Sequence, residues 1–230
     1  MEERMEERMD RRIARLALER FRVGGFVGTS IADLAGALGV SKAAIYYHYR
    51  SKDTLLHRLV DPLLDAIDAC IHDHTTPAPT PRQLLGAYLT VLLDHREVVP
   101  LVATDVAVLN HPSIGPRLRA QNQQLQSLLT APDTSALARL RAEAALGAIW
   151  RPLIAEPPLD LSDPAYQQIL IDVAVATLQP SRSSPDGGPV SAGHIGVHAE
   201  HAYLNGAEPT PRARAASLPV DTAGRSNDAT

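Results

Sequence analysis

Residues Thr29 to Leu55 read TSIADLAGALGVSKAAIYYHYRSKDTL. Ile31, Leu34, Ala35 and Leu38 recur at helical spacing, and Gly39 supplies the left-handed residue that closes a helix at its C′ position. Val40 and Ile45 complete an apolar core shared with a second short helix, which Ser41 can cap. Ala35 is small enough to let that second helix cross closely. Helix, tight turn and helix in this order predict a helix-turn-helix, a device that lays one helix in the major groove of DNA.

Lys42, Tyr46, Tyr47, His48, Tyr49, Arg50 and Lys52 crowd hydrogen-bond donors and aromatics into one short run after the turn. The chain has nine Phe, Trp and Tyr residues in 230, and three of them fall between positions 46 and 49. Its only two lysines, Lys42 and Lys52, lie in the same run. The net charge of −4 is unevenly spread: positions 11 to 52 carry eight cations against Glu19 and Asp33, a local balance of +6. A basic face on an otherwise acidic chain is the footprint of phosphate binding.

This segment resembles the tetracycline-repressor (TetR) family of bacterial transcription regulators, whose N-terminal domain carries a pattern like T-S-x-x-x-[LIV]-A-x-x-x-G-V-S-x-x-x-[LIV]-Y-x-[YH]-[FY]-x-[SN]-K-x-x-L. The likeness extends back through Phe21, Gly25 and Phe26, similar to the family's F-x-x-x-G-[FY] end of the first helix. It covers about the first quarter of the chain. Beyond residue 60 it is only of kind, an all-helical ligand and dimer domain. The resemblance implies that Lys42, Ala43, Ala44 and Tyr46 face base edges or the adjoining backbone, while Ser30, Tyr47, His48 and Lys52 hold phosphates. Ala43 and Ala44 stand where many relatives carry Gly or Thr, and their methyls suit thymine contacts.

The rest of the chain reads as helix throughout, so the expected fold is all-α, with about nine helices. The first helix is expected from Arg8 to Val23 behind a flexible extension over residues 1–8, helical or frayed, and Ser30 with Asp33 forms a shortened capping box for the second. Ser51 caps a fourth helix with Leu55, Leu56, Leu59, Leu63 and Ile67 inward and Pro62 inside it, a candidate hinge between two domains, 1–52 and 53–180. Thr80 and Pro81 open a fifth helix. A sixth is expected over Val99 to Leu109 and a seventh over Ile114 to Leu129. An eighth spans Thr134 to Ile154, and a ninth starts at Asp163 and Pro164 and stops before Pro180. In the resembled family the last two helices build a four-helix dimer interface, which places the homodimer contact at about residues 134–178, where Ala145, Ala148, Ala174 and Ala176 allow close approach. Residues 181–230 are Pro-, Gly-, Ser- and Ala-rich without apolar period and are expected to be disordered.

Cys70 is the only cysteine, which rules out an intrachain disulfide and cysteine-paired zinc. His72 and His74 point to different sides of a helix and do not make a metal site. There is no apolar run long enough to span a membrane, and MEERMEERMD is not a secretion signal, so a cytoplasmic protein is expected, and the resemblance implies a bacterial, nucleoid-associated one. No nucleophile elbow, phosphate-cradling glycine loop or dinucleotide fingerprint occurs, which argues against an enzyme, and no cofactor is implied. The functional expectation is a homodimeric regulator on a palindromic operator, a repressor released by a small apolar effector. Its pocket would be walled by Leu63, Ile67, Tyr88, Leu92, Val102, Val106, Leu125 and Trp150. The alternative is a DNA-binding regulator without an effector, an activator or partner-recruiting factor.

Overall fold

The computed structural model describes residues 2–75, 79–155 and 160–179, and every regular element among them is helical. The elements are α1 (Glu2–Gly24), α2 (Ile31–Leu38), α3 (Lys42–His48), α4 (Lys52–Asp73), α5 (Pro81–Asp94), α6 (Val99–Thr104), α7 (Val106–Leu109), α8 (Ile114–Thr130), α9 (Ala136–Trp150) and α10 (Pro164–Leu178). Helices α1, α2 and α3 pack together at one end, α4 leads out of that cluster, and α4, α5, α8, α9 and α10 form the larger helical body. Residues 181–230 lie outside the described residues, as does the disorder expected for them.

Local chemistry sets the helix starts. Ser51 Oγ accepts from Thr54 N at 3.0 Å, Ser135 Oγ accepts from Ala138 N at 3.1 Å, and Asp163 Oδ1 accepts from Ala165 N at 2.8 Å just ahead of Pro164. Each satisfies an amide that the first helical turn leaves without a partner. Thr80 and Gln83 make a full capping box at the start of α5. Pro62 sits within an unbroken α4.

Three boundaries differ from the sequence reading. Helix α1 begins at Glu2, ahead of the start expected at Arg8, so of the helical or frayed extension expected there the helical form is found. Glu7 pairs with Arg11 one turn on at 3.2 Å, and carboxylates at a helix N-terminus complement its dipole. The single sixth helix is two, because Asp105 adopts an extended backbone and its Oδ1 caps α7 by accepting from Ala107 N at 2.8 Å and Val108 N at 3.2 Å. The eighth expected helix stops at Trp150 and passes into a 3-10 turn over Arg151–Ile154, where Pro152 has no amide to continue the ladder.

Helix α8 is pinned to α4 by polar contacts in the body. Arg117 Nε donates to Asp68 Oδ2 at 2.9 Å and its Nη2 to Asp65 Oδ1 at 2.6 Å, while buried Gln121 donates to Leu64 O at 2.8 Å and Asp68 Oδ1 at 2.7 Å. Around this seam the core is aliphatic, with Leu55, Leu56, Val60, Leu84, Leu85, Ala142, Ala145 and Ile149 fully buried. No described helix is long and apolar enough to cross a membrane.

Candidate nucleic-acid interface

Caps on both sides of one turn position α2 and α3. At the start of α2, Ser30 Oγ accepts from Asp33 N at 3.2 Å and Asp33 Oδ2 accepts from Ser30 N at 2.8 Å. Bonds from the Ser30 hydroxyl and amide hold the Asp33 carboxyl below its usual range. Gly39 takes the left-handed conformation at φ 68°, which lets Val40 N reach Ala35 O at 3.0 Å, and Ser41 Oγ then accepts from Ala44 N to start α3. Leu34, Ala35 and Ile45 are buried against Ile13, Ala17 and Phe21 of α1.

That burial fixes which side of α3 faces outward. Lys42, Ala43, Tyr46 and Tyr47 are exposed and Ser30 stands exposed at the start of α2, while Ala44 and His48 are half-buried. Tyr46 and Tyr47 show 49% and 74% of their surface, which leaves their rings open to a partner. Tyr49, counted with the donor cluster in the sequence, belongs instead to the core at 3% exposure, and burial pushes its phenol pKa up.

Lys52 lies apart from the α3 face. Its Nζ donates to Phe26 O at 2.9 Å and Thr29 O at 3.1 Å and stands 4.4 Å from the Phe26 ring centroid. Two of its three ammonium protons thus tie the start of α4 to the α1–α2 loop. The same loop is held from the other side by Asp105, whose Oδ2 accepts from Phe26 N at 2.6 Å. His111 stacks edge-on at 6.3 Å from Phe26, and Ser113 Oγ bridges His111 Nδ1 at 3.0 Å and His57 Nε2 at 2.9 Å. Sequence reasoning missed Asp105, His57, His111 and Ser113, since no local pattern links them. Asp105 alone left a trace, as a residue type that caps helices in the middle of an apolar run.

Residues 13–59 match the bacterial regulatory proteins of the tetR family. That match covers the helix-turn-helix segment, which is thus a DNA-binding domain of the TetR type. Solved structures share the fold. A transcriptional regulator from Aquifex aeolicus VF5 is 22% identical with a TM-score of 0.51, covering 74% of this chain and 96% of its own. The ketosteroid transcriptional regulator KstR2 of Mycobacterium tuberculosis is 18% identical with a TM-score of 0.58, covering 74% and 93%. A TetR-family member from Streptomyces coelicolor A3 is 21% identical with a TM-score of 0.60, covering 72% and 88%. Among the described residues the chain is all-helical, and residues 13–59 carry the DNA-binding domain of bacterial transcription regulators.

Of the residues expected around an effector, Leu63, Ile67, Leu92, Val102 and Leu125 are buried in the body, and Tyr88 and Trp150 are half-buried against it. Tyr88 has its phenol pKa pushed up by burial, with the Cys70 thiol and Glu143 carboxylate adding to the effect. Val106 departs from the set: the break at Asp105 turns it outward on α7, where it is 64% exposed. An open cleft of about 680 Å³ lies elsewhere, between α1 and α6, lined by Arg15, Phe21, Arg22, Glu97 and Leu101 among others. A second groove, about 790 Å³, runs between α4 and α8 past Asp68, His72 and Gln123. Neither includes an expected effector residue. Among the described residues no group of His, Cys, Asp and Glu side chains is placed to hold a metal ion.

Proposed function

We propose that the protein is a homodimeric repressor that binds a palindromic operator and is released by a small apolar molecule. In this reading residues 1–52 read DNA, residues 53–180 bind the effector and dimerise, and the chain acts in the cytoplasm as a regulator without catalytic activity. Ser30, Tyr47, His48 and Lys52 hold phosphates, Lys52 through its one remaining proton. Lys42, Ala43, Ala44 and Tyr46 meet base edges or the adjoining backbone.

The observation that carries the dimer is an uncovered apolar face on α9 and α10. These two helices pack on each other through Ala142, Ala145, Leu146, Ile149, Ile171 and Ala174, yet Leu137, Leu140, Tyr166, Ile169 and Val173 remain 51% to 66% exposed. Large apolar side chains gathered on neighbouring helices favour a covering partner, and a two-fold copy of the same face is self-complementary. A two-fold axis there would set two α3 helices about 34 to 36 Å apart, or a multiple of it, which is why the operator is palindromic.

The effector reading rests on the buried set Leu63, Ile67, Leu92, Val102 and Leu125 with the half-buried rings of Tyr88 and Trp150, an apolar interior with one phenol for orientation. The test is footprinting on the DNA flanking the gene, combined with light scattering of the free protein and a thermal-shift screen of apolar compounds. Two-fold symmetric protection, a dimer mass and a hit that releases DNA would support the proposal. A dimer that binds DNA symmetrically but answers no ligand would favour the partner-recruiting alternative.

A further inference from the structure

The N-terminal extension meets the DNA-reading helix. Tyr47 Oη donates to Glu6 Oε1 at 2.9 Å, a contact between the early turns of α1 and the outer face of α3. Neighbouring contacts hold α1 in that position: Met9 packs on the core, and Asp10 lies 3.7 Å from Arg58 of α4. Glu7 is occupied with Arg11, so Glu6 is the carboxylate turned toward α3. The first ten residues contain five carboxylates against two arginines, opposite in sign to the basic stretch that follows them.

Glu6 presents to Tyr47 the same chemistry as a DNA phosphate, an anionic oxygen that accepts the phenolic proton. The hydroxyl has one proton to give. A phosphate that takes it must displace the Glu6 carboxylate and then sit beside that carboxylate's charge. We propose that Glu6 is an intramolecular competitor for the phosphate position at Tyr47, an autoinhibitory carboxylate that lowers affinity for every duplex engaging α3. The bond to Glu6 also raises the Tyr47 pKa, which keeps the phenol neutral and able to donate. Both side chains are exposed, so the competition is weak and yields to a duplex that makes many contacts at once. Its strength falls with salt, because both the repulsion and the phosphate attraction are screened.

The experiment uses the full-length protein, a mixed-sequence 30-bp duplex and fluorescence anisotropy at low and moderate salt. E6Q keeps the size of the side chain and removes its charge. It is expected to bind roughly fivefold more tightly at low salt, the equivalent of about one screened ion–ion contact, with the gain shrinking as salt rises. In a Y47F background the gain from E6Q should nearly vanish, and in E6Q the Tyr47 phenol should titrate closer to its ordinary range by ultraviolet absorbance. Equal affinities of wild type and E6Q would overturn the proposal. So would an undiminished gain in the Y47F background, because the carboxylate would then act as a diffuse charge and not through the hydroxyl.

Discussion

The carboxylate of Asp105 accepts the amide of Phe26 at 2.6 Å, across 79 positions of chain. One oxygen of this side chain caps α7 and the other holds the loop between α1 and α2, so the start of one helix and the seating of the DNA-reading unit depend on a single residue. Asp105→Ala removes a cap and a charge-assisted bond together and is expected to cost about 2 to 4 kcal/mol of stability. Asp105→Asn, which retains an acceptor for only one of the two sites, should fall between. Thermal or denaturant unfolding of the three proteins checks the order. An Ala variant as stable as wild type would show that the contact does not hold the junction.

Lys42 and Lys52 should separate under the same pair of measurements. Lys42 is exposed on α3, so Lys42→Ala should leave the unfolding midpoint in place and lower the salt slope of DNA binding by roughly 0.9 per subunit for one lost phosphate contact. Lys52 spends two protons on Phe26 and Thr29 carbonyls. Lys52→Ala should therefore reduce stability by about 1 to 2 kcal/mol as well as the salt slope. A lowered slope with no change in stability would make Lys52 a phosphate ligand first and a tie second.

The helix-turn-helix was legible in the sequence because its determinants are local. Ser30 with Asp33, Gly39, Ser41 and Ser51 each act within four residues, and capping and backbone preference need no knowledge of the rest of the fold. Partners distant in sequence were not legible. Lys52 could be recognised as a cation in a basic run, but its attachment to the Phe26 and Thr29 carbonyls depends on how α4 leaves the cluster. Tyr49 illustrates the same limit: it shares composition with Tyr46 and Tyr47, and only the helical rotation at the end of α3 sends it inward. Val106 was read on the face of a continuous helix, and the break at Asp105 changed that face.

The uncovered face of α9 and α10 makes a prediction about mass. Leu140 and Ile169 are 66% and 57% exposed, so replacing both with Glu removes little packing within the chain, yet it places four charges at the proposed two-fold apolar contact. The variant should run as a monomer in light scattering, with far-ultraviolet dichroism unchanged and operator binding strongly weakened. A dimer that survives both substitutions would move the interface away from these helices.

Asp33 supplies a pH dependence whose sign follows from its bonding. Its carboxyl is held below the ordinary value of 3.8 by bonds from the Ser30 hydroxyl and amide. A depressed folded-state pKa contributes stability that is present above the unfolded value and lost as pH falls through the folded one. Wild type should therefore be more stable than Asp33→Asn above about pH 4, and the difference should shrink as pH drops below that range. Midpoints measured from pH 7 down to pH 3 test this. A gap that stays constant into acid would mean that the cap owes nothing to the ionised carboxylate.

Pro62 offers a test of the proposed release of DNA. It leaves the carbonyl of Arg58 without an amide four residues on, at the place where α4 passes from the DNA-reading cluster into the body. An effector can release DNA only by favouring an arrangement whose two recognition helices no longer fit the operator, and a flexible point in the connector lowers the cost of that arrangement. Pro62→Ala should raise the unfolding midpoint, since proline in a helix interior costs up to about 3 kcal/mol relative to alanine. It should also blunt the response to effector more than it changes operator affinity without effector. Filling the interior beside Tyr88 with Ala87→Trp should have the same selective effect by excluding the ligand. Linkage adds an internal check, because operator must weaken effector binding by the same factor by which effector weakens operator binding. Both factors come from titrating each ligand in the presence and absence of the other. If Pro62→Ala and Ala87→Trp fold and give the wild-type coupling factor, neither the hinge at Pro62 nor the pocket beside Tyr88 carries the switch.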